Sequence, residues 1–135
     1  MNLEHNRQVA TEFFRRHDAG DPQGALDLLA DDCQYWLAGQ AGRNATGGRT
    51  HDKAGMAEIF RRMSDAMTGP LRMTVIGTVA EGEQVAVEAV SRGELKNGKV
   101  YEQAYHVLMT IRGGRIVRAR EYMDTQHVQD IWYTR

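Results

Sequence analysis

The chain has 135 residues, 41% hydrophobic and 26% charged, enough apolar material for one packed core but not for two ordinary ones, so residues 1–135 are expected to form a single domain. Seventeen Lys and Arg against 18 Asp and Glu leave a formal charge of −1, which offers no field for gathering nucleic acid or an anionic membrane surface. No apolar run is long enough for a membrane span, Met1 to Ala10 lacks a signal-peptide core, the lone Cys33 cannot close an internal disulfide, and the five histidines lack metal-finger spacing. These features predict a cytoplasmic protein with no nucleic-acid or membrane partner, no metal and no cofactor.

Val9, Ala10, Phe13, Phe14 and His17 recur at helical spacing with Glu12, Arg15, Arg16 and Asp18 on the other side, which predicts an amphipathic first helix ending at Ala19-Gly20. Asp21-Pro22 is an N-cap followed by a first-turn proline, and Ala25, Leu26, Leu28 and Leu29 give a short second helix before Asp31-Asp32. Cys33 to Leu37 reads as a brief strand. The stretch Ala38 to His51 carries Gly39, Gly42, Gly47 and Gly48 without apolar periodicity and reads as one long loop, a mobile lid. It lacks the Gly-Lys-Ser/Thr ending of a phosphate loop. Met56, Ile59, Phe60, Met63 and Met67 form a helical stripe stopped by Gly69-Pro70. Four β-rich runs follow, Leu71–Ala80, Val85–Glu94, Val100–Arg112 and Arg115–Met123, separated by turn signals at Glu81-Gly82, Asn97-Gly98 and Gly113-Gly114. Helices first and an antiparallel meander second is an α+β pattern, and the long strands imply a curved sheet.

Two-residue turns at Gly113-Gly114 and Asn97-Gly98 would set His106 across from Glu121 on one side and from Ala89 on the other. The shared face would then carry Val85, Val87, Ala89, Ser91, Ala104, His106, Leu108, Thr110, Val117, Ala119, Glu121 and Met123, a mostly apolar wall with one acid and one imidazole at its centre. Phe13, Phe14, Phe60 and Met63 would cover it and leave a cavity. The other face would expose Val107, Met109 and Ile111 for a homodimer contact, beside Tyr105, Ile116 and a charge ladder of Glu88, Arg92, Arg118 and Arg120. A carboxylate and an imidazole facing each other in a cavity are poised for proton exchange near neutrality; the plainer alternative is a buried ion pair that only sets the register. Asp124 suits either the N-cap of a short helix from Thr125 to Trp132 or a second carboxylate at the cavity mouth. His17 suits a hydrogen-bonded core position, Trp36 suits packing, and Tyr35 could offer a hydroxyl to a ligand. His5, His51 and His127 have no metal-ligand spacing.

The succession of helix, Ala19-Gly20-Asp21 turn, helix, Leu29-Ala30-Asp31-Asp32, long loop, third helix and long strands ending in Arg120-Glu121-Tyr122-Met123-Asp124 resembles the nuclear transport factor 2-like superfamily, most closely its SnoaL-like and ketosteroid isomerase-like group. The resemblance implies a cystatin-like roll: three N-terminal helices packed in a cone against a strongly curved antiparallel sheet, a deep apolar pocket and a homodimer through the outer sheet face. Ketosteroid isomerases of this fold use a helical Tyr, a first-strand Asp and a pocket Asp; the matching positions are Phe13, Leu37 and His106, which all differ. Limonene epoxide hydrolases of the same fold hold a water with a Tyr, an Asn and an Asp, whose positions resemble Tyr35, Leu37 and Glu121, while their Arg and acid on an earlier strand fall nearest Val90 and Arg92.

The expectation is therefore a cofactor-independent enzyme acting on an apolar oxygenated small molecule as an isomerase, cyclase, dehydratase or epoxide hydrolase. Glu121 would be the base, His106 its orienting or proton-returning partner and Tyr35 an oxygen-binding group. Phe13, His17, Leu37, Phe60, Met63, Leu108, Met123 and Asp124 would line the substrate pocket. The alternative is a non-catalytic ligand-binding or dimerisation module of the same fold.

Overall fold

A computed structural model describes residues 2–134. Two helices lead, α1 (Leu3–Asp18) and α2 (Pro22–Leu26), followed by strands β1 (Leu29–Leu37) and β2 (Arg49–His51) and helix α3 (Lys53–Ala66). Strands β3 (Arg72–Glu81), β4 (Gln84–Glu94), β5 (Val100–Arg112) and β6 (Arg115–Met123) come next, and α4 (Thr125–Trp132) closes the chain. Each helix starts on an Asn or Asp whose side chain accepts a backbone N–H three residues on: Asn2 from His5, Asp21 from Gly24, Asp52 from Gly55 and Asp124 from His127. The six strands form one sheet in the order β2-β1-β6-β5-β4-β3. β3 to β6 are the expected antiparallel meander, but β1 joins β6 in parallel, so the sheet is mixed rather than wholly antiparallel. None of the described helices is long and apolar enough to cross a membrane.

α1 packs on the inner face of the sheet and α3 lies against β1 and β2. Val9, Ala10, Phe13 and Phe14 from α1 and Met56 from α3 close over Val85, Val87, Ala89, Val107, Met109 and Ala119. A smaller cluster of Met67, Leu95 and Tyr101 joins the end of α3 to α4 through Val128, Ile131 and Trp132. Removing each large apolar side chain from water contributes roughly 1.5–3 kcal/mol, so these faces supply the main driving force for the cone.

Both hairpin registers differ from the two-residue turns read in the sequence. At Gly113-Gly114 the pairing starts as expected, with Arg112 opposite Arg115 and Ile111 opposite Ile116, but Arg118 then faces Thr110, leaving Val117 as an extra residue in β6. From that bulge onward Glu121 lies opposite Val107, and His106 opposite Tyr122. At Asn97-Gly98 the connection is longer: Glu94 pairs with Val100, Gly98 N–H donates to Leu95 O at 3.0 Å, and Gly98 takes φ +89°. That is a bulged turn rather than a tight one, and it sets Glu88, not Ala89, opposite His106.

A one-residue shift turns a strand over, and here it turns β5. Ala104, His106, Leu108 and Thr110 lie on the outer face, where His106 is exposed, while Tyr105, Val107, Met109 and Ile111 are buried on the inner face. Ile116 is likewise buried. The residues expected at a subunit contact, Val107, Met109 and Ile111, are thus core residues and offer nothing to a second copy. The outer charge ladder also differs: Arg92 pairs with Glu102 at 3.2 Å, and the Arg120 guanidinium lies 4.1 Å from the Trp36 ring centre.

Two boundaries moved for related reasons. α2 stops at Leu26 because Leu28 O accepts from Ile116 N at 2.8 Å, which draws Leu28-Leu29 into the sheet. The glycine loop shortens because Arg49, Thr50 and His51 pair with Leu37, Trp36 and Tyr35.

Candidate functional site

β1 and β6 run side by side with Leu37 opposite Glu121 and Tyr35 opposite Ala119. Residues two apart share a face, so Tyr35, Leu37, Ala119, Glu121 and Met123 all point inward, towards the space beneath α1 and α3. That space is a cavity of about 690 Å³, within the few hundred to ~1,000 Å³ usual for small-molecule sites. Phe13, Tyr35, Leu37, Phe60, Met63 and Met123 are among its walls, and Glu121 and His17 also reach it.

The Tyr35 hydroxyl donates to Glu121 Oε1 at 2.7 Å. Tyr35 is 1% exposed, and burial together with the neighbouring carboxylate pushes its phenol well above its usual range, so it stays protonated and remains a donor. Burial pushes the Glu121 carboxyl up to about 7, against the opposing effect of the Tyr35 hydrogen bond. Glu121 retains partial accessibility, and its second oxygen has no hydrogen-bond partner among the described residues; no fully enclosed side-chain oxygen or nitrogen there lacks one. The free oxygen therefore opens onto the cavity. A carboxyl group so placed exchanges a proton near neutral pH and has one oxygen clamped and one available.

Beside it, the turned-over β5 adds Tyr105 and Tyr101 to the cavity wall. Tyr105 shares a 2.9 Å hydrogen bond with Ser91, and Gln103 donates to Tyr101 at 3.3 Å and to Asp124 O at 3.0 Å. Burial raises both phenols, which keeps them neutral. A tight-turn register would place Tyr105 on the outer face. One signal could have found Tyr101 and Tyr105: the odd-numbered residues of β5 include Tyr101, Tyr105, Val107, Met109 and Ile111, a more apolar set than Ala104, His106, Leu108 and Thr110.

The remaining candidates divide. His106 and Leu108 face away from the cavity, so the Glu121–His106 pair does not form and Leu108 lines no pocket. Asp124 is exposed and its carboxylate caps α4 through a 3.0 Å bond from His127 N–H, which places it outside the cavity lining. His17 lies in the wall with its ring edge-on to Phe13 and Phe60, at 4.9 and 4.5 Å between centres. The glycine loop is tied to α4 across the cavity: Asn44 donates to Gln129 at 3.1 Å and Thr46 bonds the Tyr133 hydroxyl at 2.9 Å. Gly48 takes φ +71° there, and a Cβ on it would lie 2.5 Å from Ala41 N, so the tight return of the loop requires glycine. Among the described residues no three His, Cys, Asp or Glu side chains are grouped as metal ligands.

Several solved structures share this fold. A putative polyketide cyclase from Streptomyces antibioticus, IdmH, superposes with a TM-score of 0.75 at 22% identity, over 90% of this chain and 94% of its own. TerC, co-crystallised with polyporic acid, gives 0.78 at 18% identity, over 94% and 97%. An NTF2-like protein of unknown function from Burkholderia pseudomallei K96243 gives 0.79 at 20% identity, over 97% and 98%. At these identities the likeness establishes the fold and not the activity. No curated protein matches the chain significantly in sequence. The SnoaL-like domain matches residues 10–119, from the middle of α1 into β6, and on that match the chain belongs to the SnoaL-like domain family.

Proposed function

We propose that the protein is an acid–base enzyme for an apolar, oxygenated small molecule, with Glu121 as the base and Tyr35 as its clamp. The observation that carries the reading is the Tyr35–Glu121 bond inside the cavity, with Glu121 pushed up to about 7. The free carboxylate oxygen would take a proton from a carbon beside a carbonyl, or from a hydroxyl or water, and hand it back after rearrangement. The neutral phenols of Tyr105 and Tyr101 would donate hydrogen bonds to the substrate oxygen on which charge develops. The apolar walls suit a largely apolar substrate, and the fold relatives described as a polyketide cyclase and as a polyporic acid complex are in keeping with one. Isomerisation, cyclisation, dehydration and epoxide hydrolysis share this requirement.

The test uses 2-tetralone, followed by NMR for exchange of its acidic protons in deuterated buffer, and styrene oxide, followed for hydrolysis. Wild type should accelerate at least one reaction, with a rate that rises as pH passes about 7. Glu121→Gln should lose that acceleration by ~100-fold or more. Binding of these compounds without acceleration, and with equal affinity in Glu121→Gln, would overturn the reading in favour of a module that only sequesters its ligand.

A further inference from the structure

His17 is the polar group of the cavity wall that the acid–base reading leaves unused. It sits one helical turn after Phe13 on the inner face of α1, its ring nearly perpendicular to those of Phe13 and Phe60. Its ring nitrogens have no hydrogen-bond partner among the described residues, although every fully enclosed side-chain nitrogen and oxygen there has one. The nitrogens are therefore accessible, in a residue that lines the cavity. Burial pushes the imidazole down to about 4 despite the nearby Asp21 carboxylate, so at neutral pH it carries one N–H donor and one bare acceptor nitrogen. A neutral imidazole is matched to a hydroxyl or carbonyl rather than to an anion, and a half-buried one without a partner carries a desolvation cost that a ligand oxygen would remove.

Phe13 also sets an upper limit on the scale. Its ring centre lies 4.9 Å from that of His17 and 6.1 Å from that of Tyr35, so the imidazole and the phenol ring are at most about 11 Å apart. A ligand the size of naphthalene with an oxygen at each end is compatible with that limit, and Phe13, Phe60 and Met63 are walls of the same cavity. We infer that His17 is a ligand-binding residue that recognises a second, uncharged oxygen of a ligand whose first oxygen meets the Tyr35–Glu121 end. This rests on the acid–base reading for the position of the first oxygen. It adds a specificity-determining residue at the α1 end of the cavity.

The test is equilibrium binding by fluorescence of two probes, 2-naphthol and 2,6-dihydroxynaphthalene, which differ only in the second hydroxyl. Wild type should bind the diol about fivefold more tightly, the equivalent of one net hydrogen bond of ~1 kcal/mol. His17→Phe, which keeps an aromatic edge for Phe13 and Phe60, should bind both probes alike. His17→Gln, which keeps a donor and an acceptor, should restore part of the preference. The ¹⁵N shifts of the His17 ring should move with the diol and much less with the mono-ol. Absence of binding of both probes, no preference in wild type, a preference that survives in His17→Phe, or equal loss for both probes would each overturn the inference. Because the readout is binding, a protein that turns nothing over still reports on His17; failure of the acid–base reading would show in the Glu121→Gln kinetics instead.

Discussion

Replacing Glu121 by glutamine exchanges a carboxyl group that resists ionisation for a carboxamide of nearly the same shape that cannot ionise at all. In the folded chain burial lifts Glu121 from 4.5 to about 7. At pH below about 4.5 the acid is protonated folded and unfolded, and it contributes nothing to pH dependence. As pH rises, the unfolded chain ionises first and the folded state loses relative stability, until the loss is complete above about 7. The difference of roughly two to three pKa steps corresponds to about 3 kcal/mol. The glutamine variant escapes this loss, so its stability relative to wild type should rise by about 3 kcal/mol between pH 4.5 and pH 8. Urea unfolding followed by circular dichroism at four or five pH values measures it. The comparison cancels titrating groups common to both chains, among them His17, whose lowered pKa makes both proteins less stable as pH falls from 6.5 through about 4. A relative stability that stays flat within about 1 kcal/mol over this range would refute the argument, because Glu121 would then ionise as freely folded as unfolded. If it rises as expected, the wild type keeps a destabilising buried acid that a stability-optimised cavity would lack, a common signature of a working site.

Tyr35→Phe removes the hydrogen bond that holds the Glu121 pKa down, so the carboxyl should titrate above about 7 in a ¹³C NMR titration; a midpoint that falls would contradict the assigned bond. The β5 register can be tested by truncating neighbours on opposite faces: Met109→Ala should cost ~2–5 kcal/mol, since Met109 has no exposed surface. His106→Ala should change stability by less than ~0.5 kcal/mol; the reverse ranking would restore the tight-turn register. Gly48→Ala forces a side chain into the left-handed region and onto backbone atoms 2.5 and 2.6 Å away, so it should lower stability by more than about 1 kcal/mol and weaken naphthol binding; an unchanged melting temperature would refute the described loop path.

The glutamate, tyrosine and histidine of the cavity come from distant parts of the chain, and each reaches it for a different local reason. Tyr35 and Glu121 share a face because β1 enters the sheet parallel to β6, while His17 enters through the apolar stripe of α1. No short motif contains all three. Their association is a property of the sheet order, which places a strand from the first third of the chain beside its last strand.

Local patterning was enough to locate most elements. The helical stripe from Val9 to His17 falls within α1, and the Asp21-Pro22 and Asp124 caps and the four alternating runs from Leu71 onward match the observed helix starts and strands to within a residue or two, because propensity, capping and periodicity act over a few residues. The resemblance carried by the whole succession extended this to the fold. What the local pattern could not decide was the side of β5 that faces inward. The extra residue at Val117 and the bulged turn at Gly98 each shift pairing by one, and a one-residue shift exchanges the faces of a strand. That choice belongs to the tertiary structure: packing Tyr105, Val107, Met109 and Ile111 on the inner face removes more apolar surface from water than packing Ala104, His106, Leu108 and Thr110 would. The same choice takes His106 out of the cavity, brings in Tyr101 and Tyr105, and leaves Glu121 hydrogen-bonded to Tyr35.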